Sequence, residues 1–356
     1  MNPFARYLRL FAVAVILAAA CIAIVNWRTD PLQHYRPAGY APLLVEQSRF
    51  RNPGLARHCT APVVIAGTSV SAYIEERDVA AMFEADTLNL GMDGASAHEQ
   101  HLLLRLALRT GRVRRVIWDA NFEYLRGNPE WVSDYDGAFP AYLYDDSPWN
   151  DLHTYLLGID TCKNTARILA GRYPRRKPSD FHKLDPSRRF GTTAIARQME
   201  RRLANPGAFR RLIPEFTGDQ LVASFRHNHL ALIREFPGVH FDLWLPPFAS
   251  PYFDFLRAVA PELIPEFLAF RRAIRAELSG LPNVTLHDIQ ADTAIVTGLD
   301  HFSDPIHFDR ETSIRILEMI RNRTRPCTPG SLEAFEAWLN VAQAASLRER
   351  PPQAIR

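Results

Sequence analysis

Short apolar runs that alternate with helical segments constrain the fold of this chain more than any other feature. Five runs have the length and apolar content of buried strands, and turn residues follow most of them. The predicted strands cover 62–66, 87–90, 113–120, 239–245 and 284–289. Helical spacing predicts helices over 71–84, 96–109, 261–278, 310–320 and 333–347. Strands that alternate with helices of this length predict an α/β fold with a parallel sheet covered on both faces.

An apolar run near the amino terminus is the second constraint. Residues 10–25 contain no side chain more polar than the thiol of Cys21. At ~1.5 Å per residue this run spans about 24 Å of the roughly 30 Å hydrocarbon core of a bilayer. Arg9 and Trp27 can extend the segment to the two interfaces. We interpret residues 1–28 as an uncleaved signal anchor that forms one transmembrane helix.

Two other fates of this segment stay open. A signal peptidase could cleave after the small residues 18–20, and a lipoprotein signal could end at Cys21, although Ala18 sits where a larger aliphatic residue is usual. If the anchor is kept, Arg6 and Arg9 favour a cytoplasmic amino end, because positive charges are retained on that side. We therefore expect a single-pass protein of the inner (cytoplasmic) membrane, with its soluble domain in the periplasm or outside the cell.

Composition excludes several other classes of protein. Hydrophobic residues make up 47% and charged residues 23% of the 356, so the chain has enough apolar content for a core and is not intrinsically disordered. A net charge of +3 gives no support for nucleic-acid binding. The four cysteines show no C-x-x-C spacing, which excludes zinc ribbons and thioredoxin-type redox motifs. Cys59, Cys162 and Cys327 are either three thiols or include one disulfide of unassigned pairing.

We divide the remainder of the chain into three parts. Residues 29–61 are punctuated by proline and are interpreted as a tether. Residues 62–325 form the α/β domain, interrupted at about 122–236 by an aromatic and arginine-rich insertion, and 326–356 form a partly helical extension. The arginine runs of the insertion are interpreted as solvated helix faces, with a groove for an anionic polymer or lipid headgroups as the alternative. Its aromatic residues suit either core packing or stacking on sugar rings.

The residues directly after the first three predicted strands are candidates for a site, because open α/β sheets bind ligands at the carboxyl ends of their strands. Ser69 follows Gly67 and would begin the next helix, where backbone N–H groups stabilise negative charge. Gly91 could bring a bare backbone N–H close to an oxyanion, and the Asn121 amide is a further donor. Plain turn formation is the alternative for each of them.

A pair near the carboxyl end strengthens the case for Ser69. Asp304 and His307 lie three residues apart, separated by Pro305 and Ile306, so a single turn can hold both. A serine hydroxyl needs a base to remove its proton, and histidine is suited to that task. The histidine in turn needs a carboxylate that fixes its tautomer and stabilises the imidazolium.

Other clusters suggest different chemistry. A metal site is an alternative for the acidic and histidine residues that crowd one segment, which are Asp300, His301, Asp304, His307 and Asp309. His98 and His101, like the histidines in 227–229, lack a partner at metal-motif spacing and are interpreted as solvated or hydrogen-bonded. Asp119 and Glu123 are a carboxylate pair that a glycosidase would also need. We expect no metal and no cofactor.

The order of these residues resembles that of the SGNH/GDSL hydrolase superfamily, and more closely that of its membrane-anchored bacterial branch of uncertain activity. The matching positions are Gly67, Ser69, Gly91, Asn121, Asp304, His307 and the strand end 241–248 (FDLWLPPF). The resemblance covers about 63–320, with the insertion unaligned. It implies a three-layer α/β/α sandwich of flavodoxin-like appearance with a central parallel sheet.

The resemblance also implies roles for individual residues. Ser69 would be the nucleophile, His307 the base and Asp304 its orienting acid. The oxyanion hole would be formed by the backbone of Ser69 and by Gly91 and Asn121.

Two positions depart from the family pattern. Thr68 replaces the aspartate of the G-D-S form. The Gly-x-Asn-Asp block is absent, and residues 119–121 (DAN) stand in its place. The third oxyanion donor is the role that these departures put in doubt.

We therefore hypothesise a membrane-anchored SGNH-like esterase or O-acyltransferase that acts on an envelope glycan or lipid ester. The alternative is a catalytically inactive SGNH-like scaffold that binds glycan or protein partners in an envelope assembly. The sequence leaves open the acyl donor and acceptor, the protein partners and the oligomeric state.

Overall fold

The structure is a computed structural model that describes residues 3–40, 43–135, 137–173 and 176–348, with side chains through residue 341. It is a mixed α/β fold in which helices flank a five-stranded parallel sheet, preceded by one long apolar helix. The last residues of the predicted 326–356 extension lie outside the described residues.

The five strands form a single parallel sheet. In chain order they are β1 (Val63–Ala66), β2 (Thr87–Asn89), β3 (Arg115–Asp119), β4 (His240–Trp244) and β5 (Val284–His287). Their order across the sheet is β2-β1-β3-β4-β5. Ile65 of β1 pairs with Asn89 on one side and Ile117 on the other. Because all strands point the same way, their carboxyl ends meet at one edge, where β1 lies between β2 and β3.

Sixteen α-helices surround the sheet in the part of the chain that the structure describes. They are α1 (Pro3–Thr29), α2 (Ser48–Arg57), α3 (Ser69–Ala72), α4 (Glu76–Phe83), α5 (Ala97–Arg109), α6 (Pro148–Asn150), α7 (Ile159–Leu169), α8 (Thr192–Ala204), α9 (Pro206–Arg210), α10 (Gly218–Phe225), α11 (Ala231–Glu235), α12 (Ser250–Val259), α13 (Leu263–Leu278), α14 (Thr293–Val296), α15 (Arg310–Asn322) and α16 (Pro329–Arg348). Short 3₁₀ and π-helical turns connect several of them. The α/β fold with a parallel sheet and an apolar amino-terminal helix is confirmed.

The predicted helix over 71–84 is wrong in one respect, because two helices stand there. Helix α3 ends at Ala72 and α4 begins at Glu76. The side-chain amide of Asn89 donates to the carbonyl oxygens of Ser71 (2.9 Å) and Ile74 (2.7 Å), and so satisfies backbone groups at the break. By contrast, the predicted start at Ser96 is confirmed, since Ser96 forms a capping box with Glu99.

The stretch after α1 contains a helix that the sequence did not predict. Helix α2 packs against α5, and its Arg49 forms a fully buried ion pair with Glu99 (2.8 Å). Asn52 of the same helix is also buried, and its amide faces the carbonyl oxygens of Leu90 and Gly91. The buried side of α2 is therefore polar, which is why no apolar period marked it.

The insertion contributes helices α6–α11. Helix α10 packs against α13, and α8 packs against α12, so the insertion extends the helical layer that contains α12 and α13. Several of its aromatic side chains are buried, among them Tyr155, Phe216 and Phe225. Others are exposed, including Tyr135 and Trp149.

Candidate active site

The turn after β1 carries Ser69 at the carboxyl edge of the sheet. Gly67 adopts a φ of +135°, and a Cβ there would lie 1.9 Å from the Oδ2 atom of Asp119. Only glycine combines that backbone conformation with so close an approach. Ser69 is the first residue of α3 and is 9% exposed.

Ser69, His307 and Asp304 form a hydrogen-bonded chain. The Nε2 atom of His307 lies 2.7 Å from the Ser69 hydroxyl, and its Nδ1 atom lies 2.7 Å from Oδ2 of Asp304. An ionised carboxylate only accepts hydrogen bonds, so Nδ1 of His307 carries the ring proton. Nε2 is therefore the acceptor for the Ser69 hydroxyl, which is the tautomer that a general base requires.

The surroundings of Asp304 keep its carboxylate ionised. Burial alone would raise the pKa of Asp304, but the hydrogen bond and charge of His307 outweigh it and hold the pKa well below the usual range. The backbone N–H groups of Ile306 (2.9 Å) and His307 (3.0 Å) both donate to Oδ1. Arg188 of the insertion adds a charged donor, 3.2 Å from Oδ2. The Asp304 carboxylate is thus fixed on both of its oxygens.

Asp119, at the end of β3, holds the turn that carries Ser69. Its buried carboxylate accepts the backbone N–H of Thr68 (2.7 Å) and the hydroxyl of Ser71 (2.7 Å), with the Thr68 hydroxyl at 3.3 Å. Burial raises the pKa of Asp119 to about 6, although the bonds from Ser71 and Thr68 oppose that rise. Residues on both sides of the nucleophile position are therefore tied to one carboxylate.

Three groups were predicted to donate to an oxyanion, and their surroundings differ. The Ser69 N–H has no hydrogen-bond partner among the described residues, as is usual in the first turn of a helix. The Asn121 amide nitrogen lies 3.5 Å from the Thr68 hydroxyl, so Asn121 is close to the turn and only weakly engaged. The Gly91 N–H already donates to Oδ1 of Asn89 (2.7 Å). Donation by Gly91 therefore requires that bond to break, and its role stays a prediction.

Several residues that support the site were not predicted from the sequence. Arg188 contacts Asp304, and Tyr73 packs its ring edge-on against His307 with 5.9 Å between centroids. Asp119 was expected to pair as a carboxylate with Glu123 if it had a catalytic role, whereas Glu123 accepts the Tyr252 hydroxyl at 2.5 Å. Asp119 could have been predicted as a site residue, because it stands at the end of a predicted strand. Arg188 could not, because the insertion that contains it has no periodic sequence pattern.

The segment considered for a metal divides into two groups. Asp304 and His307 belong to the chain with Ser69, while His301 pairs with Asp309 (2.7 Å). In the described residues, the ligand atoms of His301, Asp309 and Glu311 lie within 4.8 Å of one another, a spacing that could hold a cation. Asp309 also caps α15 by accepting the N–H of Thr312, which accounts for its position without a metal.

The histidines of 98–101 and 227–229 lie together beside α5. His98 and His101 both direct Nδ1 toward Asn228, at 3.3 Å from its side-chain oxygen and 2.9 Å from its carbonyl oxygen. His229 is fully buried and stacks on Trp118 with 3.9 Å between ring centroids. His98 and His101 are hydrogen-bonded, as interpreted from the sequence, whereas His229 is buried and packed rather than solvated.

A cavity of about 450 Å³ borders the same edge of the sheet. Gly94, which follows β2, and Glu123, which follows β3, both line it, whereas Ser69, Asp304 and His307 do not. Phe255 of α12 lines it too, and residues of the insertion supply its remaining walls. These are largely aromatic and charged side chains, among them Tyr124, Arg126, Trp131, Tyr135, Arg202, Phe209 and Phe216.

Comparisons with known proteins leave the family open. No family model matches the sequence, and no curated protein matches it. Among solved structures, one that matches is described as "a putative platelet activating factor from Streptococcus pneumonia". It is 11% identical, covers 78% of this chain and 90% of its own, and has a TM-score of 0.40. At this identity and TM-score the match assigns neither a family nor an activity.

Proposed function

We propose that this protein is a membrane-anchored serine esterase or O-acyltransferase of SGNH type. The observation that carries the proposal is the hydrogen-bonded chain from Ser69 through His307 to Asp304, in the tautomer that makes Nε2 the proton acceptor. A buried serine at a helix start, beside a histidine held by an ionised carboxylate, is suited to nucleophilic attack on an ester.

The reaction would proceed in two acyl transfers. The Ser69 oxygen attacks the ester carbonyl while Nε2 of His307 takes the hydroxyl proton, and Asp304 stabilises the imidazolium. The Ser69 N–H and the Asn121 amide stabilise the oxyanion. The carbon–oxygen bond to the alcohol then breaks, and His307 returns the proton to the leaving oxygen, which leaves an acyl-serine. Water, or a second hydroxyl, loses its proton to His307 and attacks this acyl group. The bond between the acyl carbon and the Ser69 oxygen then breaks, and His307 returns the proton to that oxygen, which restores Ser69.

We propose that the ester is carried by a glycan or lipid of the cell envelope. Aromatic rings beside charged side chains, as in the 450 Å³ cavity, suit a sugar ring, which presents both apolar faces and hydroxyl groups. Helix α1 is apolar and long enough to cross a membrane, which is consistent with either an anchor or a signal sequence. The basic residues Arg6 and Arg9 support an anchor with the catalytic domain on the outer side.

An inactive scaffold is the second candidate, and one observation favours it. The Gly91 N–H is occupied by Asn89 rather than free for an oxyanion. A scaffold of this kind would bind the glycan in the same cavity and would leave Ser69 unreactive.

A fluorophosphonate probe separates the two candidates. We expect the full-length protein in detergent to be labelled, and Ser69→Ala and His307→Gln to lose the label. Ser187→Ala is the matched control, because Ser187 is an exposed serine outside the site. A folded wild-type protein that takes no label would contradict the enzyme and leave the scaffold.

A further inference from the structure

Helix α7 presents an apolar stripe to the outside of the molecule. Ile159 is 73% exposed and Leu169 is 69% exposed. The residues that share their side of the helix are small or apolar, and they are Cys162, Ala166 and Ala170. Without a partner, this stripe would be exposed to water over three helical turns. Exposed apolar surface of this kind marks a site that binds a protein or a membrane.

The burial of the other residues of α7 shows which side of the helix faces the domain. Thr161 and Thr165 are buried against the domain. Lys163 and Arg167 lie on the third side and are exposed, together with Asp160, which pairs with Lys163 (3.2 Å). The helix thus has one face toward protein, one apolar face and one charged face that is basic on balance, which is the distribution of an amphipathic helix at a membrane surface.

Helix α1 lies directly beside this stripe. Asn26 of α1 donates to the carbonyl oxygen of Leu156 (2.7 Å) and to the sulfur of Cys162 (3.2 Å). Helix α1 packs against α7 and the π-helical turn Asp151–Leu156 before it. The α1 residues shielded from solvent along its second half are Ala19, Ala23, Asn26 and Thr29, which fall on one side of the helix. The contact with α7 and this turn therefore reaches back into the segment predicted to lie in the bilayer.

We propose that α7 is embedded in the interfacial layer of the membrane on the domain's side, with its stripe of Ile159, Cys162, Ala166, Leu169 and Ala170 among the lipid chains. This inference rests on the proposal that α1 is kept as a membrane anchor. From Asn26 back to Ala19, α1 rises about 10 Å at ~1.5 Å per residue. That length matches the roughly 5–10 Å to which interfacial helices enter the boundary between headgroups and acyl chains.

The charged face, on which Lys163 and Arg167 outnumber Asp160, supports lipid rather than a second protein as the occupant of the stripe. Lys163 and Arg167 stand next to the stripe, where long basic side chains reach phosphate headgroups while their neighbours stay in the apolar layer. With two attachments to the bilayer, the domain cannot rotate freely about α1. The catalytic face is then held at a fixed orientation to the membrane surface.

Lipid photolabelling of the full-length protein tests this directly. The protein is reconstituted in vesicles of phosphatidylethanolamine and phosphatidylglycerol that contain a phosphatidylcholine with a diazirine in its acyl chain, and labelled peptides are mapped by mass spectrometry. We expect label in α1 and in residues 159–170. Val341 on α16 is an internal control, because it is 70% exposed but remote in the chain from the anchor, and we expect it to stay unlabelled.

The variant Ile159→Lys with Leu169→Lys should lower labelling of α7 at least about fivefold and leave labelling of α1 unchanged, because each charge opposes insertion. Label in α1 without label in wild-type α7 would overturn the inference while leaving the anchor intact. Crosslinks between copies through α7 in place of lipid label would overturn it too. A mature protein that lacks α1, or has no label there, would instead overturn the anchor on which the inference rests. The wild-type map is decisive even if the variant does not fold.

Discussion

The Nε2 atom of His307 lies 2.7 Å from the hydroxyl of Ser69, although 238 residues separate the two in the chain. Ser69 is held there by the turn after β1, and His307 by a loop that spans residues 299–309. That loop is tied to the end of β4, since the N–H of Ala249 donates to the carbonyl oxygen of Pro305 (2.9 Å). Parallel strands bring these distant loops to one edge of the sheet, and the following predictions test what the arrangement does.

Replacement of the orienting acid should remove turnover without preventing folding. In Asp304→Asn the amide can present a donor to Nδ1 of His307, which favours the wrong tautomer. We expect kcat for 4-nitrophenyl acetate to fall on the order of 10⁴-fold with little change in KM. Asp300→Asn, an exposed aspartate of the same loop, should retain wild-type activity. Activity of Asp304→Asn above a tenth of wild type would contradict the assigned role.

The Asn121 amide is predicted to be an oxyanion donor. Asn121→Asp keeps the oxygen that accepts the Glu123 N–H (3.1 Å) but removes the donor. We expect kcat to fall about 10²- to 10³-fold. Asn128→Asp is the matched control, since Asn128 accepts the N–H of Glu130 (2.9 Å) in the same way outside the site. Equal rates for the two variants would show that Asn121 only caps its turn.

Gly67→Ala should destabilise the protein more than a glycine substitution at a position with open space around it. The new Cβ would meet the Asp119 carboxylate, and φ is +135° there. We expect a loss of about 3 kcal/mol or more in the free energy of unfolding. Gly111→Ala is the control for the backbone contribution, because φ is +69° there but nothing lies within 4 Å of the Cβ position. We expect Gly111→Ala to lower the free energy of unfolding by about 1 kcal/mol. Similar losses in both variants, measured by denaturant titration, would argue against the close contact.

Asp119 should make stability depend on pH. Its pKa is raised to about 6 in the folded protein, against about 3.9 in an unfolded chain. Between these values the folded state binds more protons, so the stabilising contribution present below pH 4 is lost as pH rises toward 6. We expect the wild type to lose about 2 kcal/mol of unfolding free energy over this interval relative to Asp119→Asn.

Denaturant titrations of the full chain in detergent at pH 4, 5 and 6 measure this difference. Asp219→Asn changes an exposed aspartate and is the control. Its unfolding free energy should change with pH as steeply as that of the wild type. If Asp119→Asn showed the same dependence of unfolding free energy on pH as the wild type, the Asp119 carboxylate would have its ordinary pKa in the folded state. The pH dependence of the unfolding free energy is compared rather than its absolute value. In Asp119→Asn, loss of the bonds to Thr68 and Ser71 also lowers stability at every pH.

Much of the fold was predictable because its signals are local. The buried strands of a parallel sheet are short apolar runs, and all five were predicted near their observed positions. Helix α5 was predicted from its spacing and from the cap at Ser96. Helix α2 was not, because it buries Arg49 and Asn52, whose partners lie elsewhere in the chain.

The sequence by itself determined the α/β class, the apolar amino-terminal helix and the identity of the candidate serine, histidine and aspartate. Periodicity, composition and three-residue spacing are properties of neighbouring residues, and they can be read without a fold. Only the tertiary structure decided that Ser69 and His307 approach to hydrogen-bonding distance, that Asp119 holds the turn that carries Ser69, and that the Gly91 N–H faces Asn89. Those contacts join residues from separate strands and loops, so they exist only after the sheet has brought its carboxyl ends together.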